Sequence, residues 1–361
     1  MLSGPKLNLF RNNGSGVMSK EGQLASELCN VWAFANINED AFPDVLCGPN
    51  FLEFKRGQLF WMKNMRGERF DMIENSEIIA WSDEVKSTAI GDLSGTGRID
   101  VVAILKKGVE RPIVVYENHR NSGMFVRRHV ETLTSSSYGH ARINGRGASA
   151  RVWPVVRIAH LTSGKQKDIL YSNEDGHWFF LKLRNPPSHE VDRQSEELMR
   201  MSHLLTTRDV VPGLVGSNGL VDLFVVQEDV NASIIIRMIK NTGEFPLTEG
   251  TVIHKFIQKK ETIVQILPLD VNGDTLTDVA YVKYCRFPRH ESQMGWFMNL
   301  GNDSFSDELR IFTLNDTRLH KLEAIDLNAD GRTDIAAQIG DAGALYWMMN
   351  GKCARVFFNR A

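Results

Sequence analysis

The stretch Ile325-Asp326-Leu327-Asn328-Ala329-Asp330-Gly331-Arg332-Thr333-Asp334-Ile335-Ala336 sets a polar, glycine-containing turn between two apolar runs. The same arrangement returns upstream at nearly constant spacing. Counting back from Asp334, the corresponding last Asp is Asp278, Asp222, Asp168, Asp100 and Asp44, in steps of 56, 56, 54, 68 and 56 residues. Each is followed by a short run suited to a buried strand, such as Asp100-Val-Val-Ala-Ile or Asp222-Leu-Phe-Val-Val. One repeat of this kind cannot bury its apolar face alone, so the units must stack or close on one another.

Within a unit the strand after the Asp leads to a second apolar run ending in Asn and then to a Gly-x-Phe segment. Leu59-Phe-Trp-Met-Lys-Asn64, Val114-Val-Tyr-Glu-Asn118 with Gly123-Met-Phe125, and Gly295-Trp-Phe-Met-Asn299 with Gly301 and Phe305 show it. Asn and Gly make a hairpin turn there, and Phe begins the return strand. A further strand, such as Val85 to Ile90 or Thr262 to Leu267, leads into the next Asp turn. About four strands per unit is the make-up of a propeller blade. The expectation is an all-β fold, a closed β-propeller of four-stranded blades occupying residues 1–361 as one domain. Six blades follow from the repeat arithmetic, with closing strands at 1–35 and 335–361. Leu7 to Asn12 and Leu345 to Asn350 both read as the second strand of a unit, which leaves a seventh, partial blade open.

Unit three carries a longer segment, Thr134 to Arg151, rich in Gly and Ser and basic at Arg142, Arg146 and Arg151. Such a loop is a place for a binding lip, with a solvated insertion as the alternative. Ser188 to Arg208 reads as one short helix with Leu198, Met199, Leu204 and Leu205 as its apolar contacts.

A formal charge of −2 over 361 residues, with no long run of one sign, gives no electrostatic reason to bind nucleic acid. No stretch of 18 consecutive apolar residues occurs, so no membrane insertion is expected. The N-terminus lacks an apolar run of signal-peptide length. As it stands the chain reads as cytoplasmic, with secretion after loss of a signal as the alternative. Cys29, Cys47, Cys285 and Cys353 are too widely spaced for a Cys-x-x-Cys site and read as buried free thiols. The sequons at Asn13, Asn231, Asn302 and Asn315 permit glycosylation in a secreted protein.

The best-formed turns place oxygen donors at relative positions 1, 3, 5 and 9: Asp270, Asn272, Asp274, Asp278 and Asp326, Asn328, Asp330, Asp334. Carboxylates converging on one tight turn repel, and a hard cation that takes 6–8 oxygens removes that cost. A structural calcium ion is the natural candidate. Weaker copies stand at Asn36, Asn38, Asp40, Asp44 and at Asp92, Ser94, Thr96, Asp100. Units three and four keep only Asp168 and Asp222. The alternative is a set of Asp/Asn turns whose side chains satisfy backbone N–H groups without any metal.

Trp61, Tyr116, Trp178, Trp296 and Trp347 recur near equivalent places, either as sugar-stacking faces or as blade-to-blade packing. Trp178, beside Glu174, Asp175 and His177, has the most polar neighbours. The ligand-binding candidates are therefore Trp178 and His177, with Tyr138, His140, Arg142 and Arg146 from the long segment. The histidines form no metal-spaced pair and no nucleophile motif, so the reading leans away from an enzyme.

The turns D-x-N-x-D-G-x-x-D, followed by aromatic-x-x-Asn and Gly-x-Phe, resemble the FG-GAP/VCBS repeat family over roughly residues 31–350. That resemblance implies an integrin-like propeller, usually of seven blades, with calcium held at the turns. Some similar fungal proteins are lectins with sugar pockets between blades. Similar domains also accompany polysaccharide lyases and dehydratases and occur in bacterial toxin subunits. The expected function is a non-catalytic, calcium-braced module that binds glycans or a protein partner. The alternatives are a scaffold subunit of a complex, and a carbohydrate-active lyase or dehydratase using the propeller face.

Overall fold

A computed structural model describes residues 7–12, 18–25, 30–38, 40, 42–48, 59–66, 70–71, 77–79, 84–106, 110–119, 123–133, 154–163, 166–173, 176–182, 195–199, 205–213, 220–248, 250–257, 261–285, 291–315, 319–325, 334–339, 344–348 and 356–359. The chain forms two compact units, Met1–Arg11 with Ser19–Leu198, and Asn12–Met18 with Met199–Ala361. Every described element in both is a β-strand.

In the first unit, β1 (Leu7–Asn12) pairs with β2 (Met18–Ala25) as a sheet of its own. The next sheet runs β3 (Asn30–Ala35), β4 (Asp44–Gly48), β5 (Leu59–Asn64), and there the outer position is split. β6 (Phe70–Asp71) pairs with Lys63 and Asn64, while β7 (Glu77–Ile79) pairs with Leu59 and Phe60. Two regular blades come after it. One is β8 (Glu84–Gly91), β9 (Asp100–Lys106), β10 (Arg111–His119) and β11 (Met124–Leu133), and the other is β12 (Val156–Ala159), β13 (Asp168–Ser172), β14 (Trp178–Leu181) and β15 (Ser195–Glu197).

The second unit holds three more four-stranded sheets. They are β16 (Leu205–Gly213), β17 (Asp222–Asp229), β18 (Ile234–Ile239) and β19 (Thr251–Phe256); then β20 (Glu261–Leu269), β21 (Asp278–Cys285), β22 (Glu291–Phe297) and, after a two-stranded hairpin of β23 (Asn299–Gly301) and β24 (Ser304–Phe305), β25 (Leu309–Asn315). The last is β26 (Leu319–Ile325), β27 (Asp334–Ile339), β28 (Ala344–Met348) and β29 (Val356–Asn359). Within each four-stranded sheet the strands pair antiparallel with their neighbours in the order, the meander of a propeller blade.

The all-β, blade-by-blade architecture holds, closure of the ring stays an expectation, and the blade number is corrected. Among the described residues five sheets are regular four-stranded blades, against the six or seven expected, and the sheet of β3 to β7 is irregular. The count of Asp turns registers the start of each second strand and carries no information about how an outer strand is completed. The expected helix across 188–208 is corrected as well. Ser195–Glu197 is a strand, and Leu198 and Met199 are buried beside it.

Strand alternation explains the packing. On β9, Val101, Ala103 and Leu105 pack with Leu46, Leu59 and Trp61 of the preceding sheet. Val102 and Ile104 face the other way, against Ile169, Tyr171 and Leu181. In the second unit Val279 and Tyr281 of β21 join Phe224, Ile236 and Phe256, while Ala280 and Val282 join Leu319, Leu322 and Ile335. A central strand covered on both faces needs a continuous apolar run, and each Asp leads directly into one.

The expectation of buried free thiols is corrected at both described positions: Cys285 carries no disulfide but is only half-buried, and Cys47, wholly buried on β4, is disulfide-bonded.

Candidate functional site

The last Asp of each described turn opens the second strand of its blade and is buried: Asp44, Asp100, Asp168, Asp222 and Asp278 are all 0–3 % exposed. In Asp44, Asp100 and Asp278 the two oxygens clasp backbone on both sides. Asp278 accepts from Val271 N at 2.9 Å and from Asn299 N at 2.7 Å. Asp44 accepts from Ile37 N at 3.0 Å and Asn64 N at 2.9 Å, and Asp100 from Leu93 N and Asn118 N. Asp222 accepts from Asn241 N at 2.8 Å. Asp168 takes Leu161 N, Thr162 N and the Thr162 hydroxyl.

The Asn at the end of the next strand completes the motif. Asn241 and Asn299 send Nδ2 to the carbonyl before the clasp Asp, at Val221 and Thr277, and accept from the amides of Gly243 and Gly301. Asn64 reaches Pro43 O in the same way, and Asn118 reaches Ile37 O in the preceding sheet at 2.7 Å. Gly123, whose amide donates to Asn118, sits at φ +71°, and a Cβ there would overlap the Trp61 ring. The sequence displays both Asp and Asn, but nothing in it links residues about twenty apart into one clasp.

The remaining turn residues differ from blade to blade. At the Asp270 turn, Gly273, Asp274 and Thr275 donate to the Asp270 carboxylate. Asn272 Oδ1 accepts from Asp274 N, and Asp274 accepts from Asn272 Nδ2 and Leu276 N. Burial above all, then the charges of Asp274 and Asp270, push the Asp278 carboxyl up to about 6, against the lowering by its two backbone donors.

At the first turn Asp40 accepts from Asn38 Nδ2 and Phe42 N and lies 3.3 Å from Lys63 Nζ. Burial alone would raise Asp40, but those hydrogen bonds and the Lys63 ammonium hold it below the usual range. In the second turn Asp92 caps Thr96 N and Gly97 N, the Ser94 and Thr96 hydroxyls bond each other at 2.8 Å, and Arg98 Nε donates to Thr96. Asn36 lies exposed at the start of the first turn. Asp326, Asn328 and Asp330 lie outside the described residues, and of Asp334 only the strand backbone is described.

The donor chemistry of Asp270, Asn272, Asp274 and Asp278 fits a hard cation, with three carboxylates and an amide oxygen each keeping lone pairs beyond those the backbone uses. The second turn fits poorly, because neutral hydroxyls and a guanidinium stand where carboxylates would be. Among the described residues no group of three or more His, Cys, Asp or Glu side chains is already gathered as a metal site.

Comparison with known proteins bears on this same turn. Residues 270–337 match the FG-GAP-like repeat. Together with the blade architecture, that match supports an FG-GAP β-propeller, a binding or scaffold architecture. No curated protein matches the chain in sequence. The chain is similar in structure to a protein from Lactobacillus plantarum, with TM-score 0.51 at 9% identity over 88% of this chain and 81% of that one. It also aligns with the Cps50 (Swd1) β-propeller domain of Myceliophteria thermophila, with TM-score 0.47 at 9% identity over 91% and 88%. At such identities the likeness to the first concerns the fold alone.

The FG-GAP-like repeat contains a polar cluster for which the sequence gives no motif. Tyr281 OH donates to Glu308, whose carboxylate is 3.5 Å from Lys283 Nζ, and that ammonium lies 4.6 Å from the Phe256 ring centroid. Despite burial, the Tyr281 hydrogen bond and the charges of Lys283, Arg310 and His254 hold Glu308 below its usual range. With His254 and Phe297 stacked at 5.0 Å, this cluster joins β19 to the next blade.

Three of the repeat aromatics settle as packing, and Trp296 is partly buried against the cluster of Ala280, Val282 and Leu319. Trp61, Tyr116 and Trp178 are 1–3 % exposed, and the Trp61 indole donates to Gly123 O. Trp178, expected to offer a face to a ligand, is corrected to a core residue whose indole nitrogen has no partner among the described residues. It begins β14 and points inward. His177 is exposed, with its amide donating to Asn173 Oδ1. Tyr138, His140, Arg142 and Arg146 lie outside the described residues, as does Trp347 apart from its place in β28.

Among the described residues no helix is long and apolar enough to cross a membrane. The exposed large apolar side chains are Val230, Val252, Ile257, Leu300 and Leu309 in the second unit, and Phe42, Met124 and Val126 in the first.

Proposed function

We propose that this chain is a non-catalytic module that binds a protein partner and is braced by calcium at Asp270, Asn272, Asp274 and Asp278. The observation that carries the reading is the spacing of three carboxylates, Asp270, Asp274 and Asp278, along one short turn, with no lysine paired to them among the described residues as Lys63 is to Asp40. The cation would supply the missing positive charge, and Asp326, Asn328, Asp330 and Asp334 are the second set proposed to hold one.

Burial of Trp61, Tyr116 and Trp178 favours a protein partner over a sugar at those positions, since a ring inside the core cannot stack on a glycan. Val252 and Ile257 on and beside β19 supply the exposed apolar contacts that a protein interface uses. Scattered exposed apolar residues alone need no explanation, so the test is made on these two. Wild-type protein and a Val252→Glu/Ile257→Glu variant are compared for retention of partners from native extract, with calcium and with chelator. Partners that wild type retains and the variant loses support the reading. Equal retention by both, or glycan-array binding unaffected by the variant, overturns it.

A further inference from the structure

The structure allows the sequons to be sorted by the physical demands of the turns they occupy. All three sequon asparagines among the described residues, Asn231, Asn302 and Asn315, are exposed. The asparagines that the fold requires, Asn64, Asn118, Asn241 and Asn299, are buried, and none of them begins an Asn-x-Ser/Thr triplet. The functional requirement of an acceptor asparagine, a reachable side-chain amide, is thus met where the triplets are.

Turn composition by itself yields Asn and Ser at exposed tips, so each site has to be tested against what its turn needs. In the turn between β17 and β18, Asp229 accepts from Asn231 N and Ser233 N, at 2.9 Å each, and Ala232 takes the left-handed backbone at φ 60°. No side-chain hydrogen bond of Asn231 is found among the described residues, so the turn's geometry does not call for Asn there. At the tip between β23 and β24, Asn302 and Asp303 both have positive φ, which Asn tolerates, so the turn already accounts for Asn302. Asp303 is tied to Lys240 at 2.7 Å, leaving Asn302 and Ser304 exposed beside it.

A second observation, independent of the sequons, is the disulfide at Cys47. Disulfides form and persist in oxidising compartments, the setting in which asparagine-linked glycans are also added. The two features fit the same environment.

We infer that Asn231 and Asn302 are N-glycosylation sites, modified as the chain passes through an oxidising secretory compartment. The donor is a lipid-diphosphate-linked oligosaccharide. The asparagine amide nitrogen bonds to the anomeric carbon, the bond from that carbon to the diphosphate oxygen breaks, the lipid diphosphate leaves with its electron pair, and the amide loses one proton. Asn231 is the stronger site, because its turn gives it no structural task.

The test is intact mass and peptide mapping of the full chain isolated from its native source, before and after peptide N-glycosidase in heavy-oxygen water. Glycan loss with conversion of residues 231 and 302 to heavy-oxygen-labelled Asp is the expected result. Asn231→Gln and Ser304→Ala, both at exposed positions, should each remove one glycan while leaving the melting transition in place. Unmodified asparagine at both positions in the native protein overturns the inference. So does recovery of Cys47 as a free thiol under non-reducing, alkylating isolation.

Discussion

The Asn36–Asp44 and Asp270–Asp278 turns share one frame and resolve their charge in different ways. In both, the last Asp is buried and clasps an amide on either side. In the first, Lys63 comes to 3.3 Å from Asp40 and the carboxyl is held low. In the second, three acids share the turn and Asp278 is pushed up to about 6 by burial and by its neighbours. The clasp and the cation site are therefore separate properties. Both turns keep the clasp, and charge compensation is arranged locally, by a lysine in one place and, as proposed, by a bound ion in the other. At the turn of Asp168, which has no other acid from the set, the carboxylate holds the turn side through Leu161 and Thr162.

The sharpest way to break this comparison is to remove the clasp from each turn. Asp44→Ala and Asp278→Ala should each leave two buried N–H groups without partners and cost about 4 kcal/mol. Near-equal losses of urea-unfolding free energy in the two variants are expected with chelator present. A small loss for either would mean that its clasp is dispensable.

Calcium should then divide the turns. At about a hundredfold excess over its dissociation constant it should stabilise the wild type by about 2.7 kcal/mol per occupied site. Asp274→Ala should reduce the rise in melting midpoint, whereas Asp40→Ala should leave it intact. An unchanged midpoint in the wild type with calcium or chelator would remove the cation from the comparison.

The pH dependence of the clasp gives a smaller effect. Burial raises Asp168 above the ordinary value of 3.8 despite the Thr162 and Leu161 hydrogen bonds. The folded state then binds the proton more tightly than the unfolded one, so this group's contribution to stability falls as pH rises through the raised value and returns on acidification toward 3.8. Asp168→Asn should flatten that part of the profile. Its cost in stability should be small, about 0.5 kcal/mol, because Oδ2 by itself accepts from Leu161 N, Thr162 N and the Thr162 hydroxyl and the amide oxygen can take its place. An unchanged pH slope would count against the raised carboxyl.

An equally small change concerns Lys63. Its pair with Asp40 is about one-third exposed on both sides, so Lys63→Met should cost only about 0.5 kcal/mol. The informative reading is the Asp40 carboxyl itself, which should move upward in a carbon-13 NMR titration. No movement would mean that the lysine does not supply the compensation.

Much of the architecture was legible because each Asp turn and the strand after it are local in sequence. Period-2 alternation and an Asn-x-Gly tip are enough to name the second and third strands of a blade. The site was less legible. Trp178 sits next to Glu174, Asp175 and His177 in the chain, yet strand direction turns it into the core, and only the paired strand reveals that. Leu198 and Met199 read equally well as one face of a helix, since two adjacent apolar residues carry no period.

The sequence by itself determined a series of acid-ended turns, each feeding a buried strand, because hydrogen-bonding side chains and apolar runs act within a few residues. Which donors each acid meets, that Lys63 answers Asp40, that Glu308 holds Lys283, and that Cys47 is oxidised were decided only by tertiary structure. Those are contacts between residues far apart in the chain. Their geometry depends on how strands pair and sheets pack, which the local pattern does not encode.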